Sequence, residues 1–182
     1  MTMVEMVVTL AVIGILAAIA APAMRSFMSG RAVDAQAQEL ATTLRMARSE
    51  ALKRGVEVSV CASATAENSS PTCAGNTSWG TGWVAFQDDD NSGTQGTLDG
   101  NDKVVRAQAA LKGIGSVTTT AKSVTFGRNG IVLLLNGASL GSTNAVGITF
   151  ASLDSGNTNA ARIVCLNRQG RITVLPGTGT CA

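Results

Sequence analysis

The 182-residue sequence has no histidine, no tyrosine and only three prolines, and its aromatic content is limited to two tryptophans and four phenylalanines. Without an imidazole, Ser-His-Asp and Cys-His nucleophile systems are excluded, and zinc loses its commonest nitrogen ligand. No segment carries a phosphate loop or a nucleotide fingerprint. Enzymatic activity is therefore not expected. Charge is also sparse at 14%, while 45% of residues are hydrophobic and 3% aromatic. A compact core usually draws on more aromatic area, so small aliphatic residues must be concentrated somewhere.

They are concentrated in residues 1–24, MTMVEMVVTLAVIGILAAIAAPAM, where Glu5 is the only charge. As a helix this run would span about 36 Å, enough to cross a hydrocarbon core of about 30 Å. A cleaved secretory signal carries positive charge before its apolar run, whereas the first base here is Arg25. An ordinary membrane anchor has no use for a carboxylate inside the run, and an intramembrane acid by default marks a site with a partner.

The helical pattern continues past the apolar run. Val33, Leu40, Leu44, Ala47 and Ala51 recur at spacings of seven, four, three and four, which is one face of a helix. Glu50 and Arg54 form a favourable i,i+4 pair, and Gly55 stands where a helix-ending glycine belongs. One helix to residue 54 would be about 80 Å long, with Gly14, Pro22 and Gly30 as weak points and Pro22 as the expected break. Beyond Gly55 the texture turns to Gly, Ser, Thr and Asn with short β-prone runs at 56–62, 82–86, 104–108, 123–126, 147–151, 163–166 and 172–175. The expected fold is α+β, a long N-terminal helix whose second half packs on an antiparallel sheet. Its parts are a hydrophobic stem at 1–24, an amphipathic continuation at 25–54 and a β-rich head at 55–182.

These residues carry a resemblance. Thr2 and Glu5, the run 11–21, Pro22 and then ARSEALKRG at 47–55 resemble the mature type IV pilin superfamily, within which the GspH/FimT group of minor pilins and pseudopilins is the nearest match. VCAS at 60–63, WGTGWVAFQDDDNSG at 79–93 and VCLNRQGRI at 164–172 are similar to that group's head. The resemblance implies a pilin fold and removal of a basic leader by prepilin peptidase. It also implies N-methylation of the new first residue, here Met1 in place of the usual phenylalanine. Glu5 would pair with the N-terminal amine of a neighbouring subunit as the stems bundle. The partners implied are other pilin subunits and the inner membrane. The head would lie in the periplasm before assembly, and then in an extracellular pilus or a periplasmic pseudopilus.

For such a head, four cysteines indicate disulfides. Three pairings exist; Cys61 with Cys73 and Cys165 with Cys181 is preferred because each closes a short loop. CxxC spacing and histidine are both missing, which argues against zinc. Asp88, Asp90, Ser92, Gly93 and Asp99 fall at positions 1, 3, 5, 6 and 12 of an EF-hand-like loop. Asp99 replaces the bidentate glutamate, and Gln95 takes an aliphatic position. The segment therefore reads as an acidic Asx- and Gly-rich hairpin loop, with calcium as the alternative.

Residues 55–102 contain seven acids and no base, a charge of −7; residues 103–182 contain eight bases and one acid, a charge of +7. The halves either neutralise each other within the head or face successive subunits. Alternatively, Lys112, Lys122, Arg128, Arg162, Arg168 and Arg171 form a surface for DNA phosphates. Some FimT-like pilins bind DNA through a Gly-Arg-x-Arg element; here Gly170-Arg171-Ile172-Thr173 lacks the second arginine, and Arg168 lies across the turn. Trp79 and Trp83 beside a β run read as core or loop anchors in preference to a stacking platform. Asn68-Ser69-Ser70 and Asn76-Thr77-Ser78 fit the glycosylation sequon. The expected function is a structural subunit of a type IV pilus, more minor than major in character, with a type II secretion pseudopilin and a DNA-uptake pilin as alternatives.

Overall fold

A computed structural model of the chain describes residues 2–89, 94–135, 138–139, 145–154, 158–177, 179 and 181. Helix α1 runs from Met3–Arg54, about 78 Å. It is continuous through Gly14, Pro22 and Gly30, so the break expected at Pro22 is absent from this chain. Proline removes one N–H from the ladder, and the turns on either side can carry the helix past it. At the far end Gly55 adopts a left-handed conformation (φ 66°) and its N–H bonds the carbonyl of Ala51, closing the helix.

Among the described residues ten strands follow: β1 (Glu57–Ala62), β2 (Trp83–Asp88), β3 (Lys103–Gln108), β4 (Val117–Thr118), β5 (Ser123–Phe126), β6 (Val132–Leu135), β7 (Ala138–Ser139), β8 (Ala145–Phe150), β9 (Arg162–Asn167) and β10 (Ile172–Pro176). They form two antiparallel sheets where one was expected, ordered β3-β2-β1-β5-β6-β7 and β10-β9-β8-β4. The second half of α1 touches β1, β2 and β5 of the first sheet and β8, β9 and β10 of the second. One helix stripe thus organises both sheets. Val33, Leu40, Leu44, Ala47 and Ala51, the residues of the periodic face, are all fully buried, joined by Ala37 and Ala41.

Alternation in β1 divides the head into two layers. Val58, Val60 and Ala62 face α1 in the main core. Cys61 faces the opposite side, where it forms a second apolar cluster with Ala66, Val84 and Phe86. Two disulfides, Cys61–Cys73 and Cys165–Cys181, span sequence separations of 12 and 16. The first roofs the outer cluster with the loop after β1; the second ties the C-terminal tail to β9. Loops of this length correspond to about 3 kcal/mol each in the chain-entropy account.

Both tryptophans are fully buried, which removes the stacking-platform reading. The Trp79 indole N–H donates to the carbonyl of Ala121 (2.7 Å), and that of Trp83 donates to Thr43 Oγ1 on α1 (3.3 Å). Between them Gly82, at φ 114°, lies where a Cβ would be 2.4 Å from the carbonyl oxygen of Gln108. The WGTGW segment is therefore an anchor with no room for a side chain at Gly82.

Candidate functional site

The stem is the first functional feature. From residue 3 to residue 28 the described large apolar side chains are exposed, among them Ile13, Ile15, Leu16, Ile19, Phe27 and Met28. Helix α1 is long and apolar enough to cross a membrane. Exposure of this extent marks a surface that another apolar phase covers. At its start, Glu5 is exposed and forms a capping box with Thr2: the Glu5 N–H donates to Thr2 Oγ1 (3.3 Å), and the Thr2 N–H donates to the Glu5 carboxylate (3.4 Å). The Thr-x-x-Glu pattern carried that signal in the sequence, where only the pairing role of Glu5 was read. Met1 lies outside the described residues.

Head support begins at Ser29. This residue is 7% exposed and shares a hydrogen bond with Ser152 Oγ (2.8 Å), also donating to the carbonyl of Gly113 (3.3 Å) and accepting from the N–H of Leu153 (3.0 Å). One helix hydroxyl thus gathers two loops at the base of the head. Higher on α1, the ARSEALKRG segment resolves into separate tasks. Ala47 and Ala51 are core. Arg48 Nε donates to the carbonyl of Gly130 (3.0 Å) and its Nη2 to that of Gln169 (2.8 Å), clamping two turns to the helix. Glu50 pairs with Arg54, and Gly55 ends the helix.

The VCLNRQGRI segment forms β9 and the turn into β10. The Gly170 N–H bonds the Asn167 carbonyl (2.9 Å), and Asn167 Oδ1 accepts from the Arg171 N–H (2.9 Å). Gly170, at φ 75°, sits where a Cβ would be 2.4 Å from the Gly130 carbonyl oxygen and 2.8 Å from Arg48 Nε. The tight turn exposes Arg168 and Arg171, and neither guanidinium pairs with an acid among the described residues. Arg171 lines a shallow groove with Arg45, Arg48 and Ser49 of α1.

Asp88 closes β2 and is only 6% exposed. Its Oδ2 accepts from Ser59 Oγ (2.6 Å) and from the Gly96 N–H (2.7 Å), and Ser59 Oγ also lies 2.6 Å from Thr125 Oγ1. Asp99 contributes its backbone N–H to Asp102 Oδ2 (2.9 Å), while Asp102 Oδ1 accepts from the Asp89 N–H (2.9 Å). Asp102, which the EF-hand-like register omits, is thus the clasp between the two ends of this acidic segment. Asp90, Ser92 and Gly93 lie outside the described residues. Among the described residues, no group of three or more acidic, Cys or His side chains is placed to hold a metal ion.

The charge division is not resolved simply between the two head segments. Arg106 pairs with Glu39, and Arg162 Nε with Asp34 Oδ1 (2.8 Å), so two bases of the C-terminal segment are bound to acids of α1. Arg162 leaves the proposed DNA-facing set in this way, whereas Lys112, Lys122 and Arg128 remain exposed.

The architecture has solved counterparts. The type IV minor pilin FimU of Pseudomonas aeruginosa matches with a TM-score of 0.59 at 17% identity, covering 86% of this chain and 99% of FimU. A second crystal form of FimU gives 0.52 over 82% of this chain. The minor pseudopilin EpsH from the type 2 secretion system of Vibrio cholerae gives 0.48 at 13% identity, over 79% of this chain and 96% of EpsH. At these identities the likeness is one of fold. No curated protein is significantly similar in sequence. The family described as type II transport protein GspH, however, matches residues 36–170, from the amphipathic half of α1 to the β9–β10 turn. The chain belongs to the GspH family and shares its fold with the minor pilin FimU.

Proposed function

We propose that the protein is a non-enzymatic minor subunit of a type IV pilus, held in the inner membrane by α1 and polymerised through it. The observation that carries this reading is the exposed apolar stem, continuous with a helix whose second half is buried in the head. In the filament, Glu5 takes the cationic amine of a neighbouring stem as partner. Processing by prepilin peptidase precedes assembly. The family description favours a second reading, a pseudopilin of type II secretion. Deletion of the gene with complementation separates them. Loss of surface filaments with secretion intact is the expected result; loss of secretion with filaments intact would assign the protein to the pseudopilus.

The exposed arginines of the β9–β10 turn support DNA as an additional partner, since guanidinium groups bind phosphates without requiring sequence. In a salt-titrated binding assay, the Arg168→Gln/Arg171→Gln variant is expected to lose affinity and to flatten the salt dependence by about two phosphate contacts. Equal binding by variant and parent would remove these residues from any DNA surface.

A further inference from the structure

Where the apolar stem gives way to the head-supported helix, on either side of Ser29, lies a set of side chains that neither the core nor the proposed filament pairing uses. It contains Arg25, Phe27 and Arg31. Phe27 is 59% exposed, and the Arg31 guanidinium stands over its ring at 5.2 Å. Arg25 and Arg31 are exposed and have no acidic partner among the described residues. By contrast Arg162, nearby on the head, is fully engaged with Asp34 and the carbonyls of Asn159 and Ala161. Phe27, Gly30, Arg31 and Asp34 form one wall of an open cleft of about 570 Å³ whose other wall is Asn159, Ala160 and Arg162, the Asp34 carboxylate being taken up by Arg162.

Position and charge point to the same occupant. If the apolar residues 3–24 span the hydrocarbon, at about 33 Å, Arg25 emerges at the headgroup level and Arg31 stands about 9 Å further along the axis. Six residues is a rotation of about 600°, so the two cations project from different sides of the helix. A protein partner docking on one side would meet one of them; a plane of headgroups surrounds the helix and meets both. The exposed ring between them seats at the boundary of the acyl region, with its stacked guanidinium toward the phosphates.

Resting on the membrane-anchored reading above, we propose that Arg25, Phe27 and Arg31 form a collar that binds anionic phospholipid, with a headgroup phosphate at Arg31 in the cleft beside Ala160. The collar sets the height of the head above the bilayer before assembly. Each cation at an anionic lipid surface is worth about fivefold in affinity, and two about thirtyfold.

The test uses the full chain in detergent, with short-chain phosphatidylglycerol and phosphatidylcholine as probes and lipid retention read by native mass spectrometry. The parent chain is expected to retain phosphatidylglycerol about thirtyfold over phosphatidylcholine, and Arg25→Gln/Arg31→Gln to lose that preference. Equal retention of the two lipids by the parent, or an unchanged preference in the variant, overturns the collar. A variant that keeps the preference but fails to join filaments would show that these arginines bind a protein instead. Carbonate-resistant insertion into pure phosphatidylcholine vesicles is measured in parallel. Failure to insert there sinks the membrane reading itself, whereas insertion without lipid preference sinks only the collar.

Discussion

The Glu5→Ala chain is expected to fold and to reach the membrane, yet to be depleted from filaments by about two to four orders of magnitude. In the single chain Glu5 is exposed, and its hydrogen bonds are local, to Thr2. Losing a capping interaction costs about 1 kcal/mol, borne by the first turn of a helix whose head-packed half begins more than twenty residues away. In a bundle of apolar stems the same carboxylate is taken out of water, and removing one member of a buried ion pair costs about 3–5 kcal/mol because the other is left uncompensated. At about 1.4 kcal/mol per decade this gives the stated depletion. Glu5→Gln separates the two roles, since glutamine preserves a capping box but not the charge. Immunoblots of sheared filament and membrane fractions measure both variants. Normal incorporation of Glu5→Ala would end the pairing role, and normal incorporation of Glu5→Gln with failure of Glu5→Ala would reduce Glu5 to a cap.

Trp83→Ala carries the other large effect, on the head. The ring is fully buried between β2 and α1, and its N–H donates to Thr43 Oγ1, which in turn donates to the carbonyl of Glu39 (3.0 Å). Truncation leaves a cavity under the helix and costs about 3–5 kcal/mol, a large share of a typical stability of about 5–15 kcal/mol. For a chain of this size that is a fall in melting temperature of about 6–20 °C. Trp83→Phe keeps most of the apolar area and loses the donor to Thr43, for about 1–2 kcal/mol. Near-ultraviolet circular dichroism during heating would register both. A Trp83→Ala chain that melts with the parent would show that the helix and sheets are held together elsewhere.

Features that depend on neighbours in sequence were legible in advance. The stripe from Val33 to Ala51, the Glu50–Arg54 pair and the left-handed Gly55 all repeat with the helix period or end it. The strand at 123–126 was located to the residue, and six others to within two residues at each end. Three strands were missed, for different reasons. Val117–Thr118 and Ala138–Ser139 are two residues each, too short for any pattern; Val132–Leu135 is an unbroken apolar run after Gly127 and Gly130, without alternation.

Pairing between sheets was out of reach because it is fixed by contacts far apart in the chain. Nothing local announces that β1 lies between β2 and β5, or that Arg106 and Arg162 meet acids of α1. The −7 and +7 segments therefore suggested a head divided against itself, when α1 carries part of the compensation. Arg48 illustrates the same limit at the site: within ARSEALKRG it reads as one more solvated base, and only the fold brings the carbonyls of Gly130 and Gln169 to it.

The Ser29–Ser152 contact has a mechanical consequence. Helix α1 is built like a beam with one end fixed: residues 3–28 project, and from Ser29 to Ala51 one face is gripped by the head. Tension applied along the projecting part enters the head at the edge of the grip, where it meets a pair of hydroxyls in front of the first core contact, Val33. Detachment under load would therefore start by peeling Ser29 from Ser152 and Gly113. The two disulfides lie away from that edge, each capping how far its own loop can lengthen once peeling has begun.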